Sequence, residues 1–321
     1  MITYHCLEGP ALVRRAAQAL DTVPANAVWI DLLHPEPEEE RFVEAALGLD
    51  IPTREELAEI EDSSRFYDEP AAVFMTTTVV SGISERRPTT AEVTFVLTPR
   101  CLVTVRYCEL SSFRQFEAAS LRQPGQFGTG HLVLIGLIDA IVDRIADVLE
   151  SVQVDLSALS TQVFDEHRDE PADLQHVLKQ LGQFRALLAR LGESLFSSGR
   201  MIAYYRVHVG EPKQGGAKGL LKALERDVRS LGEHQARLLG DIAFLLDATL
   251  GLINIEQNSI IKVFSIAAVL FLPPTLVGTV YGMNFRHMPE LEWLFGYPMA
   301  LGAMALSAGL AYVWFKFRDW L

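Results

Sequence analysis

Cysteine is scarce in this sequence and never clustered. Cys6, Cys101 and Cys108 are far apart or unpaired in pattern, and no CxxC occurs, which excludes a disulfide scaffold and a structural zinc site. Three reduced thiols are expected, buried in a cytosolic domain. Basic residues are also short: 28 Lys and Arg face 41 Asp and Glu, a formal net charge of −13. A broad nucleic-acid-binding face needs the opposite sign. An acidic excess is compatible with handling cations. Met1 to Cys6 offers neither a basic n-region nor an apolar h-region, so no secretory signal is expected there. A phosphate loop, a nucleophile elbow and a catalytic triad are missing too. Asp31 and His34 are the nearest approach to a catalytic pair, and a histidine at a helix entry explains them more simply.

Apolar residues are plentiful. They make up 49% of the chain beside 21% charged residues, and mean hydropathy is +0.18. The excess collects near the C-terminus. Val263 to Phe285 is 23 residues without a formal charge, and Trp293 to Phe315 is 23 more. About 20 such residues cross the hydrocarbon core as a helix, so two spans in a hairpin are expected. Lys262 precedes the first, and Lys316 and Arg318 follow the second. The positive-inside rule then puts both termini in the cytoplasm, with Trp293, Tyr297, Tyr312 and Trp314 at the interfaces.

Ahead of the spans, the first 125 or so residues read as α/β. Ala27–Leu32 and Ala71–Val80 read as strands, and Glu92–Leu97 with Cys101–Tyr107 as a hairpin. Pro35 to Leu47 reads as a helix opened by proline and acids. From Gly130 to about Arg206 the pattern is helical, broken near His167–Pro171. Asp139, Asp143 and Asp147 recur every fourth residue, followed by Glu150; nine acids lie between Asp139 and Glu170 against Arg144 and Arg168. Like charges at this spacing repel. The stripe is either a solvated face or one screened by cations. Glu211–Gly216 reads as a linker.

No proline occurs between Lys213 and Leu272. A single helix over Ala217–Tyr281 would run about 98 Å at 1.5 Å per residue, which suits a stalk continuing into a membrane. Along it Asp247, Gly251, Asn254, Asn258, Ile261, Ser265, Ala268, Leu272 and Thr275 recur at heptad-like spacing. An ordinary coiled-coil seam is apolar. Two asparagines and an aspartate would be costly in a dry core and much less so along a watery channel. Two spans cannot enclose a pore alone, but several copies around an axis can. Pro273-Pro274 then interrupts backbone bonding where neighbours or water must satisfy the freed groups.

The first span ends in Tyr281-Gly282-Met283-Asn284, followed by Phe285 and then Met288-Pro289-Glu290-Leu291. This resembles the CorA family of magnesium transport proteins, whose signature is YGMN ahead of a short MPEL loop. The likeness continues through Asn254–Asn258, the FLPPT run at Phe271–Thr275 and the basic-aromatic tail from Lys316 to Leu321. The resemblance implies an α/β cytoplasmic domain followed by long helices and two C-terminal transmembrane helices, assembled as a pentameric funnel. The corresponding divisions are an α/β domain over 1–129, antiparallel helices over 130–212, a stalk over 213–281 with its span at 263–281, a periplasmic loop over 282–296, a second span over 297–315 and a tail over 316–321.

The resemblance further implies uptake of Mg²⁺, with Co²⁺ and Ni²⁺ as alternatives, driven by membrane potential across a bacterial inner membrane. Mg²⁺ surrenders its waters reluctantly, and a ring of Asn284 amides would accept hydrogen bonds from those waters. Gly282 would let the chain turn at the mouth, and Tyr281 and Met283 would brace the ring. By position, Ile261, Phe264 and Leu272 fall on the family's gate, a constriction that closes by dewetting. For Phe264, off the seam, core packing is an equal reading. Asn258 and Thr275 would be polar stations. Asp247 would join an inter-subunit Mg²⁺ site that shuts the channel, with Glu55 or Glu56 as its partner. Arg286 departs from the acid that many relatives place after GMNF, leaving Glu290 and Glu292 to attract cations. No prosthetic group, nucleic-acid partner or enzymatic activity is expected. The alternatives are a proton-coupled zinc transporter of the same superfamily, against which MPEL speaks, and a membrane-tethered sensor or enzyme.

Overall fold

The structure is a computed structural model. It describes the chain apart from residues 18–21, 58–61, 84–87, 166–172, 211–216, 285–287, 290–291 and 319–321. Two compact units divide it, Met1–Leu245 and Leu246–Leu321.

The first unit is built on seven strands: β1 (Ile2–Glu8), β2 (Ala11–Ala16), β3 (Ala27–Leu33), β4 (Phe66–Glu69), β5 (Ala72–Ser81), β6 (Thr89–Leu97) and β7 (Leu102–Arg106). Their order in the sheet is β2-β1-β3-β7-β6-β5-β4. β3 and β7 are parallel; every other neighbouring pair is antiparallel. The two parallel strands are central and buried along their whole length, as parallel strands covered on both faces should be. The β6–β7 hairpin and β3 follow the sequence pattern. The β1–β2 hairpin and β4 do not stand out in it, because Tyr4, His5, Arg14, Arg15, Asp68 and Glu69 dilute their apolar alternation.

The helices of this unit are α1 (Pro37–Leu47), the four-residue α2 (Arg54–Leu57) and α3 (Asp62–Arg65), α4 (Ser111–Arg122), α5 (Gly130–Phe164) and α6 (Leu174–His208). The first part of α7 (Ala217–Tyr281) also belongs to it. α1 opens with a reciprocal capping box between Glu36 and Glu39, and Pro37 stands in its first turn. Asp173 caps α6 by accepting from the amides of Gln175 and His176, both at 3.1 Å. Val133, Leu137, Ile141, Ile145, Leu149 and Val152 bury one face of α5. Ser197 of α6 docks on β5, accepting from the Thr78 amide at 3.0 Å and the Thr77 hydroxyl at 3.1 Å.

The centre of the sheet holds a charge. Arg106 on β7 donates to both carboxylate oxygens of Asp31 on β3, through Nη2 at 2.7 Å and Nε at 3.1 Å. Thr104 Oγ1 donates to the same carboxylate at 2.7 Å and accepts from Trp29 Nε1 at 2.8 Å. Burial opposes the Arg106 charge, but the Asp31 hydrogen bonds and charge outweigh it and raise its pKa. Asp31 is thus committed to Arg106. His34 instead sits just beyond β3 at φ 45° with its ring edge-on to Tyr107, and the Asp31–His34 pair suggested by proximity in sequence plays no part. Among the three thiols, Cys6 and Cys101 are buried and Cys108 is half-buried; all are free.

Candidate functional site

The second unit contains the rest of α7, the turn after it, and α8 (Gly296–Phe317). Both helices are long and apolar enough to cross a membrane. The most apolar stretch of α7 has none of its residues buried within the chain, against 11% for α8. A soluble core helix would be mostly covered, so this surface faces something other than its own chain.

Pro273 and Pro274 lie inside α7 without ending it. Each still lacks the amide donor that an interior helical residue would supply. Just beyond them, Thr275 Oγ1 donates to the Phe271 carbonyl at 2.7 Å, and Thr279 Oγ1 to the Thr275 carbonyl at 2.8 Å. The helix closes at Tyr281. The Gly282 amide still bonds the Gly278 carbonyl at 2.9 Å, and the Met283 amide reaches Val280 O at 3.3 Å. Gly282 does not adopt a left-handed φ. A Cβ there would lie 3.1 Å from the Gly278 carbonyl, a tight contact. Asn284 follows as the first residue past the turn, exposed, as is Met283; Tyr281 is half-buried.

The heptad-spaced residues largely share exposure. Asp247, Gly251, Asn254, Asn258, Ile261, Ala268, Leu272 and Thr275 are exposed, and Ser265 is half-buried. Ile261, Phe264 and Leu272 are 61%, 71% and 71% exposed, so Phe264 does not pack into a core of its own chain. Glu290, like Arg286, lies outside the described residues. Glu55 and Glu56 stand exposed in α2, in the first unit. Glu56 Oε2 accepts from the Thr53 amide at 2.8 Å and from its hydroxyl at 3.0 Å, leaving Glu55 the less engaged acid. Among the described residues no three or more His, Cys, Asp or Glu side chains group closely enough to hold a metal ion.

One packing residue escapes the sequence patterns above. Gly278 approaches α8 so closely that a Cβ on it would lie 3.2 Å from Met304 Cε. A glycine within an apolar span was its signal. The acidic stripe of α5 is also better defined in space. Asp139, Asp143 and Asp147 border a cavity of about 470 Å³ that Phe116, Phe127 and Leu220 also line. Burial first, then Asp143 and Asp227, pushes the Asp139 carboxyl up; burial, then Asp147 and Asp227, does the same for Asp143.

An α/β domain followed by long helices and two apolar C-terminal helices, the first ending at an asparagine-bearing turn, is the architecture of a protein with two candidate membrane spans. The family model described as "CorA-like Mg2+ transporter protein" matches residues 24–316. The magnesium transport protein CorA of Escherichia coli K12 is 33% identical over 321 residues, covering all of both chains. In three dimensions the complete CorA magnesium transporter of Methanocaldococcus jannaschii matches with a TM-score of 0.75 at 16% identity, over 100% of this chain and 98% of that one. The full-length CmaX protein matches at 0.71 and 18% identity, over 100% and 97%. The chain belongs to the CorA family of Mg²⁺ transport proteins.

Proposed function

We propose that the chain assembles as a homopentamer in a bacterial inner membrane, with both termini in the cytoplasm, and that it conducts Mg²⁺ inward down the membrane potential. Co²⁺ and Ni²⁺ follow the same path. One observation carries this reading. The polar and small residues of α7 lie exposed along one face of a helix whose most apolar stretch is uncovered by its own chain. Copies placed around an axis would turn that face inward and line a wet path with it.

Each residue then has a physical task. Five Asn284 amides at the mouth accept hydrogen bonds from the waters of a hydrated Mg²⁺, so the ion need not lose them. Tyr281 and Met283 brace the turn that carries Asn284. Asn258 and Thr275 offer oxygens further along. Ile261, Phe264 and Leu272 form the apolar constriction, which closes when it dewets. Glu290 helps concentrate cations at the entrance. Asp247 with Glu55 or Glu56 binds regulatory Mg²⁺ between subunits. Carboxylates facing across a boundary repel, and a bridging divalent ion holds them together and the ring shut. No prosthetic group is involved, and the chain acts as a transporter rather than an enzyme.

The test is reconstitution of the full chain into liposomes with an internal Mg²⁺-sensitive dye and an imposed inside-negative potential. Potential-driven Mg²⁺ entry is expected. Zinc entry that needs a proton gradient, without Mg²⁺ entry, would replace this reading with the proton-coupled zinc transporter; no ion flux at all would favour a tethered sensor.

A further inference from the structure

A cavity of about 400 Å³ in the first unit belongs to none of the transport roles above. It lies where three pieces of chain meet: Arg54 of α2, the Ser81–Thr89 pair that ends the β5–β6 ladder, and Tyr107 with Cys108 just past β7. Its size suits a small molecule. The charged residues that line it are Arg54 and Glu92. Glu92 is engaged by Arg65 Nη2 at 3.4 Å. Arg54 forms no ion pair or hydrogen bond among the described residues.

Packing holds Arg54 by its face instead. Its Cζ lies 5.3 Å from the centre of the Tyr107 ring, and Tyr107 is itself anchored by donating to Glu40 Oε1 at 3.1 Å. A guanidinium stacked on a ring uses its π face. Its N–H groups point outward in the plane of the fork and stay available to an oxyanion. Hydroxyls line the same cavity. Ser81 Oγ and Thr89 Oγ1 are 3.0 Å apart and share one proton, which leaves the other of the two to donate. The Thr90 hydroxyl has no partner among the described residues. A carboxylate has two oxygens, and the Arg54 fork alone can take both. A phosphate monoester has three terminal oxygens, enough for the fork and a hydroxyl donor together.

We propose that this cavity is a binding site for a soluble phosphate monoester, held by the Arg54 fork and by hydroxyl donors of Ser81, Thr89 and Thr90. Stacking on Tyr107 would position Arg54 with no ligand at all, so anion-dependent protection of the site is the discriminating measurement. Cys108 supplies the reporter. It lines the cavity and is half-buried, whereas Cys6 and Cys101 are buried. Burial, the largest influence, pushes its thiol pKa up, so labelling is run under mildly alkaline conditions. The readout lies in the first unit and does not depend on transport.

The full chain in detergent is treated with N-ethylmaleimide at constant ionic strength. Labelling of Cys108 is timed by mass spectrometry, with and without ethyl phosphate, inorganic phosphate or acetate. A ligand at roughly ten times its dissociation constant should slow labelling about tenfold. Ethyl phosphate is expected to reach that protection. Inorganic phosphate should need a higher concentration, because it leaves the rest of the cavity empty, and acetate should protect least. Within each protein, the ratio of rates with and without anion cancels any change in thiol access. Arg54→Ala should abolish protection, Arg54→Lys should keep part of it through charge alone, and Thr90→Val should weaken it. If Cys108 does not react in wild type, equilibrium dialysis with radiolabelled phosphate makes the same comparison, and absence of binding there counts as absence of protection. No protection of wild type, or equal protection of Arg54→Ala, would overturn the site. Acetate as effective as ethyl phosphate would overturn the phosphate assignment. Protection by phosphatidate vesicles but not by ethyl phosphate would overturn the soluble ligand in favour of a lipid headgroup.

Discussion

Gly278 of α7 and Met304 of α8 are in such close contact that a single Cβ on the glycine would come within 3.2 Å of the methionine Cε. Methionine is flexible at that end, so one carbon can be accommodated and a branched side chain cannot. Gly278→Ala should assemble with its Tm little changed. Gly278→Leu should separate the two helices and lower Tm by several degrees in detergent. Thermal melts with gel filtration check both.

Asp31 is the bidentate partner of Arg106 in the central strands, where their side chains are 4% and 7% exposed, while Glu109 stands 3.9 Å from Arg106 Nη1. Removing one member of a buried pair leaves the other charge uncompensated, at about 3–5 kcal/mol. Asp31→Ala should therefore destabilise the protein severely, and Asp31→Ala with Arg106→Leu should recover part of the loss. Denaturation of wild type and both variants, compared side by side, tests this; an unchanged single variant would show the pair to be dispensable.

Asn284→Ala should abolish Mg²⁺ uptake while leaving the oligomer intact, because a methyl ring cannot hold a hydrated ion. Cobalt hexammine, whose ligands do not exchange, should block wild type at the same mouth. Absence of block would mean that the ion sheds its waters first.

Asp247→Asn should weaken inhibition by internal Mg²⁺ without changing which ions permeate. Flux against internal Mg²⁺ is measured for both proteins, and superimposable curves would remove Asp247 from the sensor.

The carboxyls of Asp139 and Asp143 are raised above the usual 3.8. An acid that is easier to protonate folded than unfolded contributes stability below its unfolded pKa. That contribution is lost as pH rises through the folded value. At neutral pH the two charges therefore destabilise the first unit. Asp143→Asn should raise Tm at pH 7, and the gain should vanish as pH falls toward 3.8. Added Mg²⁺ should narrow the neutral-pH gap if cations screen the stripe.

What the amino-acid sequence alone makes legible follows from short range. Uncharged runs of span length, a proline-free stalk, the spacing from Asp247 to Thr275 and the YGMN–MPEL pair are properties of neighbouring residues, so composition and period expose them. β3 and the β6–β7 hairpin were legible for the same reason. Tertiary structure decided what depends on partners far apart in the chain. The partner of Asp31 is Arg106, 75 residues away in the chain, and no local pattern in the sequence points to it. Periodicity can place a residue on a face. Which atoms that residue still has free is settled by the bonds its neighbours make.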